Sequence, residues 1–222
     1  NYKPIETKKY LVCFSPEAFL QLIGAFSSMF NARSIIDGVS LMKEDSIGDQ
    51  ISVPTLNISD EGLHPENVGA FSFDGEGTPT QNINLVNEGK LTYLLHSEAT
   101  ARKFGVAPTG HAGLGAKVSV SPDWLVVSKC DSGIDKDESL DAKNTLKEYI
   151  LIDELSAIHS GVKASQGSFS LPFDGWIVNN GKKTSIEAAT IAGDILKVLK
   201  SIVKIENEQV VTHQGISPYV WV

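Results

Sequence analysis

Between Ser15 and Ala32 the chain carries Phe19, Leu22, Ile23, Phe26, Met29 and Phe30 at steps of three and four residues. That spacing places them on one stripe of an α-helix. A stripe this apolar has to be covered, so the fold must be assembled around it. The helix start is equally explicit. Ser15 can accept from a free backbone N–H, Pro16 suits the first turn, and Glu17 faces the positive end of the helix dipole. Tyr10 to Phe14, just upstream, is a short apolar run of strand formers.

Further along, strands and short helices alternate without an internal repeat. Ala70-Phe71-Ser72-Phe73 alternates like an exposed edge strand, and Asp74 to Pro79 is a turn rich in Gly, Asp and Pro. Ile83 and Leu85, then Leu91, Tyr93 and Leu95, flank Asn87-Glu88-Gly89-Lys90 as a hairpin. Ser97 caps a helix that runs to Phe104 and stops at Gly105, and Thr109 to Gly113 reads as a flexible connection. Trp124 to Ser128 and Tyr149 to Ile152 read as strands. Asn180-Gly181 marks a tight hairpin, a strand follows from Ser185 to Ile191, and Asp194 caps a helix lined by Ile195, Leu196, Leu199, Ile202 and Val203. Hairpins separated by short helices predict an α+β fold.

Composition narrows the function classes. With 41% hydrophobic and 21% charged residues, the chain is too balanced for disorder, and 222 residues can bury a substantial core unaided. The net charge of -8 repels a phosphate backbone, and Lys197, Lys200 and Lys204 read as one solvated helix side, so no nucleic-acid partner is expected. The two cysteines, Cys13 and Cys130, lack zinc-ligand spacing and sit beside apolar runs, which predicts buried thiols in a reducing compartment. No apolar run approaches the length of about 20 residues that spans a bilayer, so no membrane partner is expected. The chain begins with Asn rather than Met, which suggests a piece of a longer protein.

Residues with chemical potential read mostly as structural. A zincin-type helix needs two histidines a turn apart with a carboxylate between them, whereas LQLIGAFSSMFNA has neither. His64, His96, His111, His159 and His213 are scattered, and none pairs with another at ligand spacing. Asp74 and Glu76 sit beside glycines and serve the turn rather than acid–base catalysis. Asp135, Asp137, Ser139 and Asp141 alternate like calcium ligands but lack the glycine and terminal glutamate of that loop. Ser168 and Ser170 have no nucleophile elbow around them. The residues alone therefore predict no catalytic group and no metal ligand in this chain.

The segment from Ser72 to Ala112, SFDGEGTPTQNINLVNEGKLTYLLHSEATARKFGVAPTGHA, resembles the C-terminal domain of the TldD/PmbA (TldE) family, known as subunits of a zinc protease complex and once labelled modulators of DNA gyrase. A second similar stretch covers Leu155 to Val203, including Gln166 to Ser170 and Gly175-Trp176-Ile177. The resemblance implies that residues 1–222 are one such C-terminal domain without the family's N-terminal domain. It also implies a mostly antiparallel sheet curled into a partly closed barrel, with amphipathic helices packed against it. Asp74, Glu76, Thr80, His111, Gly167, Ser168, Phe169 and Ser170 become candidates for a peptide cleft or interface. In the catalytic subunit a cysteine near the C-terminus is the third zinc ligand. Here His213 is the only substitute, and no partner for it is expected on the early helix.

The expectation that follows is a cytoplasmic, PmbA/TldE-like, non-catalytic subunit that lacks its own zinc motif. Zinc would reside only in a TldD-like partner, and the pair would process unfolded peptides. The alternative is a self-associating peptide-binding or scaffold protein without a protease partner.

Overall fold

The computed structural model describes residues 4–131 and 148–222. In chain order, the first part contains β1 (Val12–Phe14), α1 (Pro16–Ala25), α2 (Ala32–Ile36), β2 (Leu56–Glu61), β3 (Asn82–Asn87), β4 (Lys90–Leu91) and α3 (Glu98–Phe104). The middle contains β5 (Ala112–Gly113), β6 (Ser119–Val120), β7 (Leu125–Lys129), β8 (Glu148–Leu155), α4 (Ile158–Gly161), β9 (Val162–Lys163) and β10 (Ser168–Asn179). The last part contains β11 (Lys182–Ser185), β12 (Ala189–Asp194), α5 (Ile195–Lys200), β13 (Lys204–Ile205), β14 (Val210–Val211), β15 (Gly215–Ser217) and β16 (Val220–Trp221).

The fold is α+β, but the expected partly closed barrel does not form. Instead the strands make two open sheets and a ribbon. One sheet runs β11-β10-β8-β1-β16-β13, with β9 and β12 also on β10; the other runs β14-β15-β7-β2-β3-β4; β5 and β6 pair only with each other. Both large sheets are mixed, because β1 lies parallel to β8 and β15 parallel to β7. Closure fails at the edges: β4, β13 and β14 are two residues long, too short to zip one end of a sheet onto another.

Strand β10, twelve residues long, serves two sets of neighbours along its length. Its first half pairs with β9 and β12 and its second with β8 and β11, and its register against β8 shifts between Asp174 and Gly175. A Cβ at position 175 would lie 2.2 Å from the Leu151 carbonyl oxygen, so only glycine lets β10 approach β8 beside the bulge, where Asp153 of β8 is the extra residue.

Helix α1 starts as the sequence predicts, with the Ala18 N–H donating to Ser15 Oγ at 3.0 Å. It does not reach Ala32. It stops at Phe26, a 3₁₀ turn covers Ser27–Phe30, and the Asn31 side chain caps α2 by accepting from the Arg33 N–H at 2.8 Å. Two serines followed by a strong N-cap favour a break and a restart over continuation. The apolar stripe stays buried across the break, since Phe26, Met29 and Phe30 are fully covered. Ala70 to Phe73 also departs from expectation. It forms no strand, only a single bridge from Phe73 to Pro79.

Other local signals hold. Ser97 caps α3, Gly105 ends it in the left-handed region, Asn180-Gly181 and Glu88-Gly89 turn their hairpins with positive φ, and Asp194 caps α5. Cys13 and Cys130 are both buried thiols outside any disulfide. Among the described residues, no helix is long and apolar enough to cross a membrane.

Helix α1 packs on β8 of one sheet and β15 of the other, and a single core runs from Ile150 and Ile152 through the helix to Leu125 and Val127. Its one buried polar side chain clips it in place: Gln21 Oε1 accepts the Leu155 N–H at 2.7 Å. Replacing Gln21 with Leu would strand that buried N–H. The expected loss is about 1–3 kcal/mol of unfolding free energy, measurable by urea denaturation.

Candidate metal centre

Strand β2 alternates as a half-buried strand should, with Leu56, Ile58 and Asp60 turned inward. The third of these is a carboxylate, and it has no solvent exposure at all. Its charge is met by backbone donors from the turn entering β7. The Asp123 N–H donates to Asp60 Oδ2 at 2.8 Å and the Trp124 N–H to Oδ1 at 3.1 Å. Asp60 therefore fixes where the next acid, Asp123, leaves the backbone.

His111 comes to the same place from the loop after α3. Gly110 allows the approach: it has φ of 78°, and a Cβ there would lie 2.3 Å from the Pro79 carbonyl oxygen. The imidazole is buried, with Nδ1 2.9 Å from Thr109 Oγ1. Nε2 lies 3.6 Å from Asp60 Oδ1 and 4.0 Å from Asp123 Oδ2, and has no hydrogen-bond partner. These distances are ion-pair contacts, too long for hydrogen bonds. One ligand atom from each of the three residues lies within 4.8 Å of the others. Burial alone would lower the His111 pKa, but the Asp60 and Asp123 carboxylates outweigh it and hold the imidazole above its ordinary value. Burial raises the Asp123 pKa, as do the Asp60 and Asp74 charges, against the opposing pull of His111.

An imidazole nitrogen and two carboxylates around an unsatisfied atom, with Asp60 and His111 buried and Asp123 exposed, are a donor set for a divalent cation of the zinc or manganese type. His111 and Asp123 line a recess of about 420 Å³, together with glycines and Phe71, Phe73, Asp74, Thr80 and Ser121, while Asp60 lies behind them. Asp74, Thr80 and His111, all candidates from the sequence, meet in this recess. Asp74 shapes its wall: Oδ1 accepts from the Glu76 and Thr78 N–H groups, and Oδ2 from the Ala112 N–H at 3.0 Å. Glu76 points elsewhere and accepts the Glu98 N–H at the start of α3, at 2.8 Å. Gly167, Ser168, Phe169 and Ser170 belong to the other sheet and its entry turn and do not line the recess. Phe169 is core, packed edge-on against Phe26.

This cluster overturns the expectation that the chain has no metal site of its own and that zinc belongs only to a partner. It also overturns the derived picture of a non-catalytic subunit without a metal motif. Helix α1 is as apolar as the sequence says, but a donor set assembles elsewhere, from β2 and two loops. Sequence reasoning missed Asp60 and Asp123. The usable signal was Asp60 itself, an acid in the inward phase of a strand. His213 also differs from expectation, because its Nδ1 lies 3.5 Å from Glu17 Oε2 on α1. Asp135, Asp137, Ser139 and Asp141 lie outside the described residues.

A second buried histidine, His96, sits beside this centre, its ring edge-on to Tyr93 and Phe104. Burial lowers its pKa. The folded state then binds this proton less readily than the unfolded chain, so stability is lost as pH falls through the ordinary imidazole range. The expected result is that the stability of the unsubstituted protein relative to His96→Gln declines with falling pH, measured by urea unfolding in chelator.

Comparison with known proteins gives the chain as a whole its relatives. Residues 7–222 match the PmbA/TldA metallopeptidase C-terminal domain. Metalloprotease PmbA of Escherichia coli O157:H7 is 27% identical over 210 residues, covering 93% of this chain and 43% of that protein. A metalloprotease TldD homolog of Haemophilus influenzae is 24% identical over 157 residues, covering 70% of this chain and 32% of that protein. Among solved structures, a Thermotoga maritima protein described as a modulator of a DNA gyrase superposes with a TM-score of 0.86 at 32% identity, covering all of this chain and 50% of that one. TldE from Thermococcus kodakarensis superposes with a TM-score of 0.82 at 18% identity, again over all of this chain and 50% of the other, a likeness of fold. The chain thus spans half or less of the length of these relatives. By the match over nearly its whole length, it belongs to the PmbA/TldD family of metallopeptidases.

Proposed function

We propose that this domain binds a divalent cation through Asp60, His111 and Asp123 and engages peptide in the recess above it, within a metalloprotease assembly of the TldD/PmbA type. The observation that carries the reading is His111 Nε2, a buried nitrogen that faces two carboxylates and bonds to nothing. Relatives named metalloproteases support peptide as the substrate class, and a TldD-like chain or a second copy as the partner. The buried thiols fit a cytoplasmic setting.

Each residue has a separable task. Asp60, held by two backbone donors, is the rigid ligand, and His111 is the neutral one. Asp123 has a side chain 39% exposed and forms the side of the centre open to the recess. A cation held there supplies Lewis acidity to a substrate carbonyl or water. Two carboxylates balance its charge, so the site favours a neutral oxygen donor, such as a peptide carbonyl, over an anion.

The test is metal uptake by chelator-stripped protein dialysed against Zn(II) or Mn(II). About one ion per chain is expected, with stabilisation near 2.7 kcal/mol when free cation is about 100 times Kd. Asp60→Asn and His111→Ala should each weaken binding by about 100-fold or more, since removing a ligand costs at least as much as removing its support. Equal uptake by the parent protein and both variants would refute the assignment.

A further inference from the structure

A neutral imidazole carries one proton, and which nitrogen holds it decides which can meet a cation. At His111 the surroundings make opposite demands. The Asp60 and Asp123 carboxylates would draw the proton to Nε2, the nitrogen that faces them. On the other side of the ring, Thr109 Oγ1 lies 2.9 Å from Nδ1.

Thr109 is buried, and its hydroxyl has two further contacts, both with the His96 backbone. It accepts the His96 N–H at 2.8 Å and donates to the His96 carbonyl at 3.2 Å. A hydroxyl has one proton. With that proton given to the carbonyl, the oxygen can only accept from Nδ1, so the assignment that satisfies all three contacts puts hydrogen on Nδ1 and leaves a lone pair on Nε2. The His96 backbone is a firm support, since it leads directly into Ser97, whose N–H donates to Thr100 Oγ1 at 3.0 Å in the cap of α3.

We propose that Thr109 is a positioning residue that sets the His111 tautomer, presenting the Nε2 lone pair to the divalent cation that Asp60 and Asp123 share. The tautomer follows from the local hydrogen-bond network alone, whereas its use in cation binding rests on the function proposed above. Without Thr109 the carboxylates pull the proton onto Nε2, where it occupies the position a cation would take.

Long-range ¹H–¹⁵N spectra of the whole, metal-free chain at alkaline pH read the tautomer directly, and Co(II) titration followed by visible absorption reads its consequence. The parent protein should show the protonated-nitrogen shift at Nδ1 and the lone-pair shift at Nε2. Thr109→Val should move the proton to Nε2 and weaken Co(II) binding by about 10–100-fold, the range for losing an outer-shell partner of a metal-bound histidine. Thr109→Ser, which keeps the hydroxyl, should restore both. A proton on Nε2 in the parent protein, or a Thr109→Val variant with unchanged Co(II) affinity, would overturn the proposal. An Nδ1 proton in a parent protein that takes up no Co(II) would instead overturn the cation reading while the tautomer assignment held. If Thr109→Val does not fold, the parent spectrum and the Thr109→Ser titration decide the question.

Discussion

A carboxylate shut away from water costs several kcal/mol unless donors or a cation compensate it, and Asp60 is shut away completely. Its compensation organises the surrounding chain. Two backbone N–H groups bind its oxygens and thereby set the turn into β7 and the exit of Asp123. The remaining side faces His111, whose loop must pass close to Pro79 to arrive there. The acids of the Gly-rich turn complete the frame: Asp74 ties the turn to the His111 loop through Ala112, and Glu76 ties it to α3. Nearly every polar group near the centre is spent on scaffolding. Among the described residues, His111 Nε2 and Trp124 Nε1 are buried here without a partner, and His111 Nε2 signals a ligand because it faces two carboxylates.

Stability and chemistry are divided between the two sheets. The larger sheet and α1 supply much of the aromatic core, with Phe14, Phe19 and Phe169 in one cluster with Phe26. The other sheet supplies β2 and β7, which bracket the metal centre. Helix α1 joins the two halves, so the centre stands at the ends of the two central strands of a braced sheet, with two of its ligands on the adjoining loops. Preorganisation of this kind lets a site bind a cation without ordering the chain at the same time.

What could be read from the sequence was local. The cap at Ser15, the helix from Ser97 to Gly105, the hairpin turns and the Asp194 cap depend on residues a few positions apart, and all appear. The sheet arrangement depends on edge strands two residues long and on register shifts beside Gly175 and between Ile58 and Ser59, which leave no periodic trace. The metal centre was hidden for the same reason, since its ligands come from a strand and two loops that only the fold brings together. The missing histidine pair in α1 speaks to that helix alone. Asp60 in the phase of Leu56 and Ile58 was the readable hint, because an acid on the buried face of a strand calls for a partner.

The most direct examination of this account is anomalous diffraction from crystals soaked in Zn(II) or Mn(II), recorded on both sides of the metal absorption edge. A single strong peak between Asp60, His111 Nε2 and Asp123 is the predicted result. Crystals of the intact chain with no peak there, and His111 Nε2 donating a hydrogen bond to Asp60 instead, would contradict it.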